Sequence, residues 1–360
     1  MSLLLLGRDL PDTDHYLPSD PTHVAWGLLP TAATAPRLTV RSGETVCVDT
    51  ISHEGLLADQ GRDPAAFFGA AGISTAGVLP DVVALAESGR IHDPGVQGPH
   101  VITGPVAVDG AEPGDVLEVE VGPLYQRAPY GVISNRHGRG ALPGEYPLDG
   151  RDVVSLIAFA DGDTGRLPLG DGRDIRFPLN PFLGIMGVAP AGDRPHNSIP
   201  PGRHGGNLDV NLFGTGSRLF LPVQVPGALF YVGDPHFAQG DGEVALTAFE
   251  APLRAQLRLT LHRDAAARSL AARLTSPWGR DTVQHIVTGL DRDLDEAMRA
   301  CTRNALTLLE QRYAVPPAVG LAYLSAAADF EVSQVVDQVQ GVHCRIRIAD
   351  VAPLAPEVAG

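Results

Sequence analysis

The chain has 360 residues, and at roughly 150 residues per domain that length allows two units. Forty-two acidic residues against 27 basic ones give a formal charge of −15, unsuited to nucleic acid or to an anionic membrane surface. Every basic residue is arginine; without a lysine the chain can supply neither a phosphate-loop lysine, a pyridoxal Schiff base nor a lysine general base.

Glycine and proline number 41 and 31, the punctuation of many short strands rather than of long helices. The leader MSLLLLGRDL reaches Arg8 too soon for a signal segment, and no apolar run approaches a membrane span. Three scattered cysteines, Cys47, Cys301 and Cys344, form no CxxC pair and fit a reducing compartment. A cytoplasmic protein is expected.

Residues 38–50 alternate as strand, Ser42-Gly43 turn and strand. Residues 61–92 read as short helices, with Pro80 near a helix start and Gly89 near its stop. Strand grammar returns at VITGPVAV and continues after Glu112-Pro113-Gly114-Asp115, where Leu117, Val119 and Val121 share one face. The stretch 125–215 reads as long ordered loops on a β scaffold, with apolar runs VVSLIAFA and PFLGIMGVAP. Dense strands follow, and Leu253, Ala255, Leu257, Leu259 and Leu261 keep a period of two. Leu290, Leu294, Met298, Cys301, Ala305 and Leu308 define a long helix, stopped at Pro316-Pro317; a shorter helix and a final strand containing VHCRIRI close the chain. The expected fold is mostly β: a β-sandwich-like N-terminal unit, 1–215, followed by an α+β unit, 216–360.

No HExxH, GxSxG or dinucleotide fingerprint is present. Four polar islands follow apolar strands instead: Asp49, His53 and Glu54; His100; His204, Asn207 and Asp209; and Asp234, His236, Gln239, Asp241 and Glu243. Imidazoles and carboxylates are the ligand types of Zn²⁺ and similar ions, and the interspersed glycines let backbone pass close to such a centre. Plainer readings stand beside this one. Asp234-Pro235 and Gly240-Asp241-Gly242 also suit hairpin turns, Asp49 an Asx-turn, and His100 a structural position. The basic run Arg136-His137-Gly138-Arg139 suits a loop cap or an anion. Cys344 cannot use its neighbour His343 as a base, since adjacent strand residues face opposite ways.

The segments VDTISHEG (48–55), GPHVITGPVAVDGAEPGDVLEVEV (98–121), PFLGIMGVAP (181–190), GGNLD (205–209), LPVQVPGALFYVGDPHFAQGDGE (221–243) and DFEVSQVVDQVQGVHCRI (329–346) together resemble the acetamidase/formamidase family over nearly the whole chain. The resemblance implies hydrolysis of a short-chain aliphatic amide to carboxylate and ammonia, a divalent metal and a dimer or higher homo-oligomer. A non-catalytic binding protein on the same scaffold, or a hydrolase of a different amide, is the alternative. The metal set drawn from the matched segments is Asp49, His100, Asp234 and His236, with Zn²⁺ favoured over Ca²⁺. Acid–base work falls to Glu243, with Glu54 beside His53 as the competing carboxylate, and amide binding to Asn207 or Gln239. Phe237 is expected to narrow the acyl pocket and to raise the pKa of Glu243.

Overall fold

Alternation fixes the inner strands. In the strand Val116–Gln126, Leu117, Val119 and Val121 are buried in the core, while Glu118 and Glu120 on the other face pair with Arg218 of the adjacent strand Arg218–Pro222. The same rule buries Leu253, Ala255, Leu257 and Leu259 of the strand Leu253–His262. In this computed structural model, which describes residues 3–354, the strands build a nine-stranded and an eleven-stranded sheet. Val46, Leu117 and Leu257 of the first sheet meet Val106, Leu183 and Phe230 of the second in one apolar core. The architecture is mostly β, with two large sheets and an α+β C-terminal region.

Strands from both sides of residue 215 interleave in both sheets. Leu253–His262 lies between Thr45–Asp49 and Val116–Gln126, and Phe230–Ala238 lies between Val101–Val108 and Phe182–Gly187. The core therefore spans the expected boundary.

Residues 38–50 form two strands, but not a hairpin. Leu38–Val40 pairs with Val101–Val108 in the eleven-stranded sheet, whereas Thr45–Asp49 pairs with Leu253–His262 in the other. The turn at Gly43, whose φ is 92°, carries the chain from one sheet to its partner. Both strands show the same face to the same core, so alternation alone cannot separate pairing from facing. The stretch 125–215 holds more strand than expected: Tyr130–Arg136, Val153–Asp161, Thr164–Pro168 and Asp174–Pro178 form a meander at one end of the eleven-stranded sheet.

The long helix runs Leu294–Tyr313, because the Asp293 carboxylate caps the Glu296 amide. Leu290, expected on its stripe, belongs to the preceding strand Gln284–Asp291, and Met298 is 39% exposed. The buried stripe instead includes Asn304, which bonds Thr275, Ser276 and the Thr288 carbonyl. Helix Pro317–Ala327 follows, then strands Asp329–Gln334 and Gln340–Arg347. Cys47, Cys301 and Cys344 are buried free thiols, and among the described residues no helix is long and apolar enough to cross a membrane.

Candidate active site

Asp234 and His236 stand two residues apart on the strand Phe230–Ala238 and so share its site-facing side. Phe237, the residue after His236, points the other way, into the sandwich core against Phe249. It therefore does not line the pocket. Gly184 opposes Asp234 across the pair with Phe182–Gly187. A Cβ at Gly184 would collide with Asp209, lie 2.7 Å from Asp234 Oδ2 and 2.8 Å from His236 Cε1. Gly184→Ala is expected to displace these side chains, lowering metal content and turnover by at least about 10-fold while leaving circular dichroism unchanged.

Other elements deliver the remaining side chains. His53 comes from the loop after Thr45–Asp49, His100 from just before Val101–Val108, and Asn207 and Asp209 from the end of strand Gly205–Asn207. Glu250, in the strand Phe249–Glu250, is the cross-strand partner of His236. Glu243 comes from the loop between those strands. Asp337 comes from the connection between Asp329–Gln334 and Gln340–Arg347. Gly242 bonds Ser333 and Val335 through the backbone, which docks the Glu243 loop on the Asp337 connection.

The distances are short. His236 Nε2 lies 3.1 Å from Asp234 Oδ2 and 2.9 Å from Glu250 Oε1, and its Nδ1 lies 3.8 Å from Asp209 Oδ1. His53 Nδ1 and His100 Nε2 each lie 3.7 Å from Asp234 Oδ1. Around this cavity three groupings could each hold a cation: His53, His100 and Asp234; Asp234, His236 and Glu250; and Asp209, His236 and Glu243. Buried polar atoms without a hydrogen-bond partner collect here: His53 Nδ1, Asn207 Oδ1, Asp209 Oδ1, Asp234 Oδ1, Glu243 Oε2, Glu250 Oε2 and Asp337 Oδ2. Orphaned atoms of this density are costly unless something else satisfies them, and their donor set fits a divalent cation. Asp209, Asp234 and Glu243 also adopt left-handed backbone, with φ of 47°, 52° and 46°. Strain of this kind is held in place by its surroundings and gathers at functional sites.

The charges respond to one another. Burial raises the carboxyl pKa of Asp209 and of Glu250 to about 7, and the Asp234 charge adds to both. Burial, with Asp209 next, also pushes Glu243 and Asp337 well above the usual carboxylate range. For Asp234, burial is outweighed by His100, His236 and His53, which hold it low. Burial works against protonated His236, yet Glu250 and Asp234 overcome it and raise its pKa, whereas burial lowers His100 to about 4.

Among the expected residues, His53, His100, Asn207, Asp234 and Glu243 line one cavity, with His236 directly against Asp234 and Glu250. Glu54 stands behind them. Its carboxylate takes hydrogen bonds from Gln60, from Ser134 at 2.5 Å and from Arg136 at 3.4 Å, and lies 3.3 Å from His53. Burial would raise its pKa, but His53 and Arg136 hold it at about 2. Gln239 does not face the cavity; its amide donates to the Asp209 and Ser333 carbonyls and so fixes the backbone at Asp209.

Asp49 is not among the cavity residues. Arg254 grips its carboxylate at 2.7 and 2.9 Å, and the Tyr16 hydroxyl donates to it at 2.6 Å. The strand end that suggested a ligand instead carries a fully buried ion pair. Removing one partner of such a pair leaves an uncompensated charge, so Asp49→Ala is expected to lower stability by about 3–5 kcal/mol with metal content per folded chain unchanged. Urea unfolding with elemental analysis checks this.

Sequence reasoning placed Asp209 in a polar island without assigning it a specific role, and passed over Glu250 and Asp337. Glu250 had a usable signal, a lone carboxylate inside the apolar run ALTAFEAPL. Asp337 had only its place in a matched segment. Arg136, His137 and Arg139 line the cavity mouth, where Arg136 pairs with Asp59 at 2.6 Å.

The acetamidase/formamidase family model matches residues 84–198 and 191–338, and the chain belongs to that family. A Schizosaccharomyces pombe relative is 31% identical over 200 residues, covering 41% of this chain and 47% of its own. An acetamidase of Mycolicibacterium smegmatis is 29% identical over 198 residues, covering 40% and 49%. The chain thus spans about half the length of these curated relatives. The crystal structure of an acetamidase from Bacillus halodurans superposes with a TM-score of 0.74 at 25% identity, over 94% of this chain and 99% of that one.

Proposed function

We propose that this protein hydrolyses linear amides, of the formamide and acetamide type and related acyl groups, to carboxylate and ammonia with the help of a divalent cation. The observation that carries the reading is the convergence of three buried imidazoles with carboxylates whose oxygens lack partners, around one cavity, in a chain of this family. Asp234 and His236, with His53, His100 and Glu250, are the residues that would hold the cation. Their nitrogen content favours Zn²⁺ over Ca²⁺, which prefers oxygen. A bound divalent cation supplies Lewis acidity toward the amide carbonyl and makes water more acidic.

The side chains do the rest. Asn207 Oδ1, buried and unpartnered, accepts from the amide NH₂ and orients the carbonyl. Glu243, held protonated by burial and neighbouring carboxylates, donates to the departing nitrogen and takes the proton back from water. Glu54 anchors the His53 ring, and the buried floor limits side reactions with bulk water. The proposal extends to a cytoplasmic homo-oligomer, in keeping with three free thiols and with Leu156, Leu169 and Ile175 exposed along the outer meander. Ammonia release from the metal-loaded protein given formamide, acetamide and propionamide tests the reading. Absence of release with every linear amide would refute it.

A further inference from the structure

The cavity above these residues has a volume of about 360 Å³. That falls in the range of drug-sized ligand sites, about 300–1,000 Å³, and far exceeds what the four heavy atoms of acetamide fill. A cation with a few waters, at about 30 Å³ per water, still leaves most of it open. The floor is polar, but Leu57, Pro99, Ile199, Leu246 and Val336 form the walls above it. Leu246 is the telling member. It lines the cavity from a backbone with φ of 116°, a region that leucine rarely adopts. The mouth carries opposite charges, with Arg136 bound to Asp59 and both Arg139 and Asp152 lining it, so neither an anionic nor a cationic tail is selected.

We infer that the preferred substrate is a neutral primary amide with a branched or ring-sized apolar acyl group, seated against Leu57, Pro99, Ile199, Leu246 and Val336. This rests on the hydrolase reading above. Acetamide would leave those walls wet, whereas a larger acyl group buries them, and binding energy gained away from the reacting carbon orients that carbon for attack. The reaction balances without a further reagent: the C–N bond breaks, water oxygen forms the new C–O bond, one water proton leaves with the nitrogen as ammonia, and the other goes with the carboxylic acid, which ionises to carboxylate.

The test is the ratio of kcat/KM for isovaleramide or benzamide to that for acetamide, measured on the metal-loaded protein. A ratio of at least about 10 is expected, since a few buried methylenes discriminate by that much or more. Ile199→Trp, which fills the cavity, should cut the ratio at least about 10-fold; Val336→Phe serves the same purpose should the first variant not fold. Acetamide hydrolysis with a ratio of one or less overturns the inference and leaves the hydrolase reading standing. A high ratio unchanged in the folded variants overturns the assignment of the walls. No turnover of any amide overturns both readings.

Discussion

Replacing Asp234 with asparagine is expected to strip the cation and to lower turnover by at least about 10³-fold. Asparagine keeps the size and tolerates the left-handed backbone that Asp234 adopts at φ 52°, so the change removes charge and little else. That charge faces His53 and His100 at 3.7 Å and His236 at 3.1 Å, and Asp234 belongs to two of the three cation groupings around the cavity. Losing several kcal/mol of electrostatic stabilisation at the reacting carbonyl corresponds to roughly 10³ in rate. Elemental analysis beside steady-state ammonia release reads both effects. A variant with full metal content and turnover within tenfold of the parent would count against Asp234 as a ligand.

Glu243→Gln is expected to keep the metal and the fold while losing at least about 100-fold in turnover, and Glu54→Gln to lose about 10-fold. The two carboxylates differ in their company. Glu243 Oε2 is buried, unpartnered and at the cavity wall, so its proton is available. Glu54 is tied to Gln60, Ser134, Arg136 and His53, which hold it ionised and make it a positioning residue for the His53 ring. General acid–base catalysis contributes about 10²–10⁴-fold, whereas partners that orient a ligand contribute about 10–100-fold. Near-normal turnover in Glu243→Gln with a dead Glu54→Gln would reverse the two roles.

The sequence made some of this visible and hid the rest for identifiable reasons. The period-two pattern of Leu253–Leu261 and the body of the long helix Leu294–Tyr313 are local, so propensity and periodicity find them. The arch at residues 41–44 and the mixing of strands across residue 215 depend on which sheet a strand joins, a non-local choice that alternation does not encode. In the site, Asp234 and His236 stood out because they interrupt an apolar strand two residues apart. Asp49 gave the same signal and is a buried ion-pair partner, because the residue that neutralises it, Arg254, lies 205 positions away. Asp209 stood in a polar island without a specific role, and Glu250 and Asp337 escaped, for a related reason: the three come from separate segments of the chain and meet only around His236 and the Glu243 loop. Phe237 was misplaced by one residue of strand alternation, which sends it to the core rather than to the pocket.

The most direct measurement is a metal titration read as amide hydrolysis. The protein is stripped with a chelator, shown by elemental analysis to be metal-free, and then titrated with Zn²⁺ while ammonia release from an amide is followed. The expected result is loss of turnover on stripping and recovery that saturates at a fixed ratio of metal to chain. Undiminished turnover by the verified metal-free protein would contradict the account.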